Sequence, residues 1–201
     1  MEFIGIRVDR NNLKEMSAEL DQRVSALAEK IYTLAGCEFN LNSPKQMGEV
    51  LFDRLGLPKT KKTKSGYSTS NEVLEPLRTA HPIINEILSY RQLFKLKSTY
   101  TDALEKLIDS RTGHIHTRFR QTVTTTGRLS STDPNLQNIP VRLEEGRLVR
   151  KAFTASSPDH ILLAADYSQI ELRLLAHYAD DSVFIDAFCR GEDIHARTRC
   201  V

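Results

Sequence analysis

In the stretch LLAADYSQIELRLLAHYAD, residues 162–180, Asp166 follows an apolar run and Glu171 stands five positions later, where an apolar helical pattern begins. A carboxylate at the exit of a buried strand suits a hard divalent cation, with the Tyr167 carbonyl as a second oxygen beside it. Mg²⁺ takes such sparse sites, one or two carboxylates with water and substrate phosphates completing its shell. Gln169 and Glu171 fall in the first turn of the following helix, whose amino end favours anions. Taken alone, Asp166 reads more simply as an ordinary helix N-cap.

Two further stretches carry chemistry. From Ser110 to Thr132 there is no acid but there are four arginines, Arg111, Arg118, Arg120 and Arg128. A one-signed strand face with its adjoining loop is an electrostatic footprint for a polyanion. On charge alone, an edge strand guarded by cations explains it equally well. In NLQNIPVR, Asn135, Gln137 and Asn138 crowd three amides near Arg128 and Arg142. Amides and arginine can donate to the minor-groove acceptors that all base pairs present alike, which checks duplex geometry without reading sequence. By itself such a cluster is more often a set of satisfied loop amides. The loop LPKTKKTKSGYSTS adds Lys59, Lys61, Lys62 and Lys64, a weaker cationic signal.

These residues need elements to hold them. Leu13, Met16, Leu20, Val24, Leu27, Ile31 and Leu34 recur at spacings of three and four, which predicts a helix over 13–35 closed by Gly36. Ser43, Pro44 and Gln46 predict a second helix with a capping box, closed by Gly56. After the lysine loop a helix is expected from about Ser70 to the residue before Pro82, and a long one from Pro82 to about Ile108. Lys97 and Thr101 interrupt the apolar stripe of that long helix, so it is expected to leave its partner and face something polar along its middle. In HIHTRFRQTV the period becomes two, a strand with Ile115, Phe119 and Val123 on one face. TGRLSSTDPNLQNIP reads as irregular, KAFTA and HILLAAD as strands, the latter buried on both faces. Helices follow at about 169–179 and 182–189, and Asp193 could cap another. The order predicts an α+β protein: an elongated helical half, then a partial antiparallel sheet.

Composition narrows the class. The chain has 201 residues, with 28 basic against 26 acidic side chains, so bulk charge says little about partners. Cys37, Cys189 and Cys200 lack metal-ligand spacing and read as thiols in a reducing compartment. The amino terminus has no apolar signal-peptide core, and no apolar run approaches the roughly 20 residues that span a bilayer. The expectation is a soluble cytoplasmic protein without membrane partners.

TTTGRLSSTDPNLQNIPVR and DYSQIELRLLAH resemble two signature blocks of the bacterial DNA polymerase I family, the A family of DNA polymerases. NSPKQMGEVLFDRLGLP, HPIINEILSYRQLFKLKSTYTDAL and GEDIH match it in order, so the resemblance covers almost the whole chain. It implies a hand-shaped architecture: residues 1–11 leading into the palm, 12–108 a helical thumb with the lysine loop at its tip, and 109–201 a partial palm ending where the fingers start. It implies DNA-directed DNA synthesis, in which a primer 3′-hydroxyl attacks the α-phosphate of a deoxynucleoside triphosphate with two Mg²⁺ ions. Asp166 is then one of two metal-holding aspartates, helped by the Tyr167 carbonyl. Glu171 is the gate against a ribose 2′-hydroxyl, and Gln169 and His195 line the triphosphate. Arg128 senses the terminal base pair in the minor groove, while Gln137, Asn138 and Arg142 contact template and primer; Asn135 stays a DNA-binding candidate from the amide cluster. Lys59, Lys61, Lys62 and Lys64 lie along the duplex backbone. The implied partners are primer–template DNA and deoxynucleotides, and the implied state is a monomer.

Arg120 and Thr125 depart from the family pattern, as does the tail after His195. A fingers helix with its lysine and arginine, and a second metal aspartate, are not found in these 201 residues. The expectation is a fragment of a polymerase with no appreciable primer extension of its own. The alternatives are a non-catalytic, sequence-independent duplex-binding module and an RNA-making relative, the latter opposed by Glu171.

Overall fold

The computed structural model describes residues 1–58, 62–63, 66–140, 144–192 and 194, in two compact units, Met1–His160 and Ile161–Val201. The chain is α+β, with helices and small antiparallel sheets. Among the described residues no helix is long and apolar enough to cross a membrane, and Cys37 and Cys189 are free thiols. Cys200 lies outside the described residues.

In Met1–His160 the helix α1, Arg10–Ala35, begins three residues before the apolar stripe because Asp9 caps it, accepting from the Asn11 and Asn12 amides. Gly36, at φ 66°, ends it in the left-handed conformation that favours glycine. Leu13, Leu20, Val24 and Ile31 are buried as the spacing predicts. Each such side chain contributes roughly 1.5–3 kcal/mol of hydrophobic stabilisation. The partner is α4, Ile83–Leu96, which buries Ile83, Ile84, Ile87 and Leu93.

α2, Pro44–Gly48, forms only half of the expected capping box. Ser43 Oγ accepts from the Gln46 amide, but Gln46 Oε1 accepts from the Asn40 amide at 2.7 Å instead of returning to Ser43. The Ser43 amide is already bound to the Asn40 carbonyl, so the glutamine turns to the next open donor. α2 runs into a π-helical segment, Glu49–Arg54. The lysine loop is not wholly irregular: β2, Lys62–Thr63, pairs antiparallel with β3, Gly66–Tyr67. Its base is pinned. Tyr67 donates to Asp53 Oδ1 at 3.0 Å and packs on Phe52, while Arg91 donates to the Thr69 carbonyl, to Thr69 Oγ1 and to Met47 Sδ. The helix expected from Ser70 is short: α3, Asn71–Leu74, tightens to a 3₁₀ turn at Glu75–Leu77, where Pro76 can supply no amide donor.

The long helix is one rod with a π-helical segment, Lys97–Thr101, between α4 and α5, Asp102–Leu107. The expectation that it leaves its partner at Lys97 is wrong. The π segment and α5 stay packed on α1, and the polar residues pair across the contact. Lys97 Nζ lies 2.8 Å from Asp102 and 3.4 Å from Asp21 of α1, and Ser17 of α1 donates to Asp102 at 2.5 Å. Burial pushes the Asp102 carboxyl up, but hydrogen bonds from Lys97, Ser17 and Thr101 outweigh it and hold it below the usual range.

The sheet has β1, Ile6–Val8, at its centre, with β4, His114–Ile115, and β7, Phe153–Thr154, antiparallel on either side. Ile6 pairs with Ile115 and Val8 with Phe153. Gly5 is required here: its φ is 68°, and a Cβ would sit 2.6 Å from the Ile115 carbonyl oxygen. The strand expected over 114–123 is broken. β4 stops at Ile115, and β5, Arg118–Arg120, pairs instead with β6, Ser130–Thr132, inside the stretch read as irregular. Thr117 sits buried at the break and Val123 is exposed. α6, Glu144–Lys151, was not expected; Gly146 brings it against Pro140 so closely that a Cβ would lie 2.6 Å from the Pro140 carbonyl oxygen.

In Ile161–Val201, α7, Ile170–Tyr178, and α8, Ser182–Cys189, pack together, with Ala176 and Ala187 buried and the Arg173 guanidinium 4.5 Å from the Phe188 ring. Asp181 caps α8. HILLAAD forms no strand: Ile161 and Leu163 are each 86% exposed. A strand buried on both faces needs ladder neighbours and covering layers, and among the described residues nothing pairs with this run. Asp193 lies outside the described residues.

Candidate nucleic-acid interface and carboxylate site

Within Met1–His160 the amide-rich loop is built on a polar knot. Thr117 Oγ1 lies 2.7 Å from Ser131 Oγ, 2.7 Å from the Pro134 carbonyl and 3.0 Å from the Thr132 carbonyl. Ser131 Oγ accepts from the Leu136 amide at 3.2 Å. Gln137 spends its side chain internally, accepting from the Ser131 amide at 3.0 Å and donating to the Leu129 carbonyl at 2.9 Å. Asn135 Oδ1 accepts from the Gln137 amide at 3.0 Å. Two of the three predicted amides therefore shape the loop in this structure. Asn138 differs: its side chain is exposed and has no hydrogen-bond partner among the described residues, while its backbone carbonyl accepts from the buried Tyr100 hydroxyl.

Asn138 borders a cavity of about 500 Å³ whose wall includes Arg78, Arg91, Gln92, Lys95 and Tyr100. Arg78 is neutralised by Glu75, which accepts both Nε and Nη2. Arg91 has no carboxylate partner among the described residues; its bonds go to Thr69 and Met47, and burial lowers its pKa. Lys95 has no ion pair there either, so the cavity has a net positive lining. Sequence reasoning did not single out Arg91, Gln92 or Lys95. Arg91 and Lys95, four apart on α4, are a signal that could have found them, since such residues share a helix face.

Of the four arginines in the acid-free stretch, Arg111 is paired. Its guanidinium and amide bind Asp109, whose carboxyl falls to about 2 chiefly through the Arg111 side chain. Arg118, Arg120 and Arg128 are exposed. His114 Nδ1 donates to the Ile4 carbonyl at 2.8 Å and His116 Nδ1 to the Glu2 carbonyl at 2.9 Å, so the histidines tie down the amino-terminal segment. Lys59, Lys61, Lys64, Arg142 and His195 lie outside the described residues, and Lys62 is placed only as a strand residue of β2.

In Ile161–Val201, Asp166 is exposed, with no hydrogen-bond or ion-pair partner among the described residues. The N-cap reading of Asp166 fails, because α7 starts at Ile170 and Gln169, at φ 52°, is its cap. Glu171 occupies the first turn. Arg173 Nε donates to the Ser168 carbonyl at 3.0 Å and the Arg173 amide to the Gln169 carbonyl at 3.0 Å, so the turn between Asp166 and α7 is held from inside the helix. The Asp166 carboxylate and Tyr167 carbonyl are hard oxygen donors. Among the described residues there is no cluster of three metal-ligating side chains. The donor set fits a sparse Mg²⁺ site, completed by water and phosphate, and not a closed protein cage.

The sequence profile of DNA polymerase family A matches residues 10–200. The chain is 59% identical to DNA polymerase I of Geobacillus stearothermophilus over 198 residues, 98% of this chain and 23% of that protein. It is 54% identical to DNA polymerase I of Bacillus subtilis (strain 168), covering 98% of this chain and 22% of the relative. A solved structure described as the POL domain of Pol1 from M. smegmatis, in complex with DNA primer–template and dNTP, superposes with a TM-score of 0.84. It has 46% identity and covers 95% of this chain and 34% of that one. The chain thus spans less than a quarter of the length of these two curated relatives. With a profile match over nearly all of its residues and more than half of its positions identical to these relatives, the chain belongs to DNA polymerase family A.

Proposed function

We propose that this chain is the thumb and part of the palm of a DNA-directed DNA polymerase that extends a primer 3′-hydroxyl with deoxynucleoside triphosphates. The observation that carries the reading is the likeness, over 95% of this chain, to a polymerase domain described with primer–template and dNTP. Residues 12–108 act as the thumb, with the lysine hairpin along the duplex backbone. Residues 1–11 and 109–201 belong to the palm and the beginning of the fingers, and the working protein is a monomer.

Two divalent cations, Mg²⁺ by family, supply charge neutralisation at the attacking and leaving oxygens when bound. Asp166 and the Tyr167 carbonyl are the oxygens this chain offers to them. Glu171 fills the space of a ribose 2′-hydroxyl, and Gln169 and His195 orient the triphosphate. Arg128, Asn138 and Arg142 contact the primer–template minor groove, with Asn135 and Gln137 keeping the loop in shape. Positioning and charge neutralisation supply most of the catalysis in such phosphoryl transfer, with little covalent work for side chains.

The test is a graft. The 198 matching residues of the Geobacillus stearothermophilus polymerase are replaced by this chain's, and primer extension is measured beside the isolated 201-residue protein. The graft is expected to extend a matched primer and the isolated chain to show no appreciable extension; an inactive but folded graft refutes the reading. A duplex-binding module without catalysis is the second reading, favoured by the net positive cavity beside Asn138. It predicts binding by the isolated chain that weakens steeply with salt and an inactive graft.

A further inference from the structure

We propose that Tyr100 is a positioning residue for duplex recognition: its buried hydroxyl fixes the Asn138 peptide so that the Asn138 side-chain amide is presented to the minor groove of bound DNA. The inference rests on the minor-groove role of Asn138 proposed above.

Tyr100 is 7% exposed, and its hydroxyl donates to the Asn138 carbonyl. The residues just before it in the loop have ties of their own. The Pro134 carbonyl accepts from the Thr117 hydroxyl, the Leu136 amide donates to Ser131, and both ends of the Gln137 amide group are taken. At Asn138 the tie is to the backbone alone, and the side chain stays available. Ile139, 8% exposed, anchors the chain on the far side. The Asn138 peptide is thus held at two points, a packed isoleucine and a tyrosine hydroxyl, with its amide at the edge of the cavity shared with Arg91 and Lys95.

The helix explains how Tyr100 reaches that carbonyl. Tyr100 belongs to the π-helical segment that also carries Lys97, whose ammonium is committed to Asp21 and Asp102. In a regular helix residues three apart lie about 60° apart around the axis. The i→i+5 pattern puts more residues in each turn and spreads them further. One side of the segment is thereby pinned to α1, while Tyr100 turns toward the loop. Removing the phenolic oxygen frees the Asn138 carbonyl and leaves the peptide to rotate, and the amide turns with it.

The experiment measures binding of a fluorescein-labelled, recessed-end DNA duplex to the 201-residue chain by anisotropy across a salt series. Wild type is compared with Tyr100→Phe, Asn138→Ala and the double variant, with thermal melts as folding controls. Each single variant is expected to weaken binding about three- to tenfold, the range of one hydrogen bond. The double variant should be no weaker than Asn138→Ala. The salt slope should be unchanged, because no phosphate contact is lost. Placing p-aminophenylalanine at position 100, which restores a donor, should restore affinity even if Tyr100→Phe proves too unstable to assay. Wild-type affinity in Tyr100→Phe, losses that multiply in the double variant, or no rescue by the amino analogue overturns the proposal while leaving the DNA-binding reading intact. Failure of wild type to bind overturns that reading, and this inference with it.

Discussion

Replacing Thr117 by valine keeps the shape of the side chain and deletes one hydroxyl from the knot that shapes the amide loop. Three oxygens lie within 3.0 Å of Thr117 Oγ1, but a hydroxyl has a single proton. It donates to the Pro134 carbonyl, with Thr132 as a weaker second acceptor, and accepts from Ser131. The substitution therefore removes one donated and one accepted bond, each worth about 0.5–1.5 kcal/mol. Ser131 Oγ remains 3.2 Å from the Pro134 carbonyl and can satisfy it, which keeps the loss near the middle of the range. The expected cost is about 2 kcal/mol. For a unit of this size that lowers Tm by roughly 4–8 °C. Circular dichroism melts give the shift, and hydrogen exchange should show the Leu136 amide opening faster. Thr117→Ser retains the hydroxyl and should lose much less. A shift below about 1 °C for valine, or an equal loss for serine, refutes the reasoning, since the hydrogen bonds would then carry no net stability.

Gly146→Ala places a methyl against the Pro140 carbonyl and is expected to cost about 1–3 kcal/mol by overpacking, read as a lowered urea midpoint. Lys97→Met strands Asp102 and Asp21 and should cost about 1–2 kcal/mol at pH 7, between the exposed and buried limits for ion pairs. The hydrogen bond that Lys97 donates to Asp102 raises the Lys97 pKa and Asp102 is held low, so the wild-type advantage is present between the ordinary carboxylate and lysine ranges. It fades as pH falls through the depressed Asp102 value or rises through the raised Lys97 value. Urea titrations at pH 7 and pH 3 showing the same gap would contradict this.

What could be read in the sequence follows from where the governing forces lie. The helices α1, α7 and α8 were legible because their apolar stripes are local, but their N-caps were not: Asp9 moves the start of α1, and Gln169 instead of Asp166 precedes α7. β1 and β6 were missed because three-residue strands draw their stability from partners distant in sequence: Val8 pairs with Phe153 and Ser131 with Phe119. HILLAAD failed for the complementary reason, a strand composition with no ladder beside it among the described residues. Lys97 looked like a flaw in an apolar stripe because its partner Asp21 lies on another helix. At the candidate site, residue types announced Asp166, Glu171 and the amides. Only the geometry separates Gln137, which is spent on the loop, from Asn138, whose side chain is left available.

The central claim is that Asp166 supplies an oxygen on which nucleotide transfer depends. Single-turnover incorporation of one matched deoxynucleotide by the grafted polymerase, with and without Asp166→Ala, tests it most directly. The account predicts that the variant binds primer–template like the parent but loses at least about 10³ in rate, several kcal/mol of transition-state stabilisation. A variant within tenfold of the parent would contradict it.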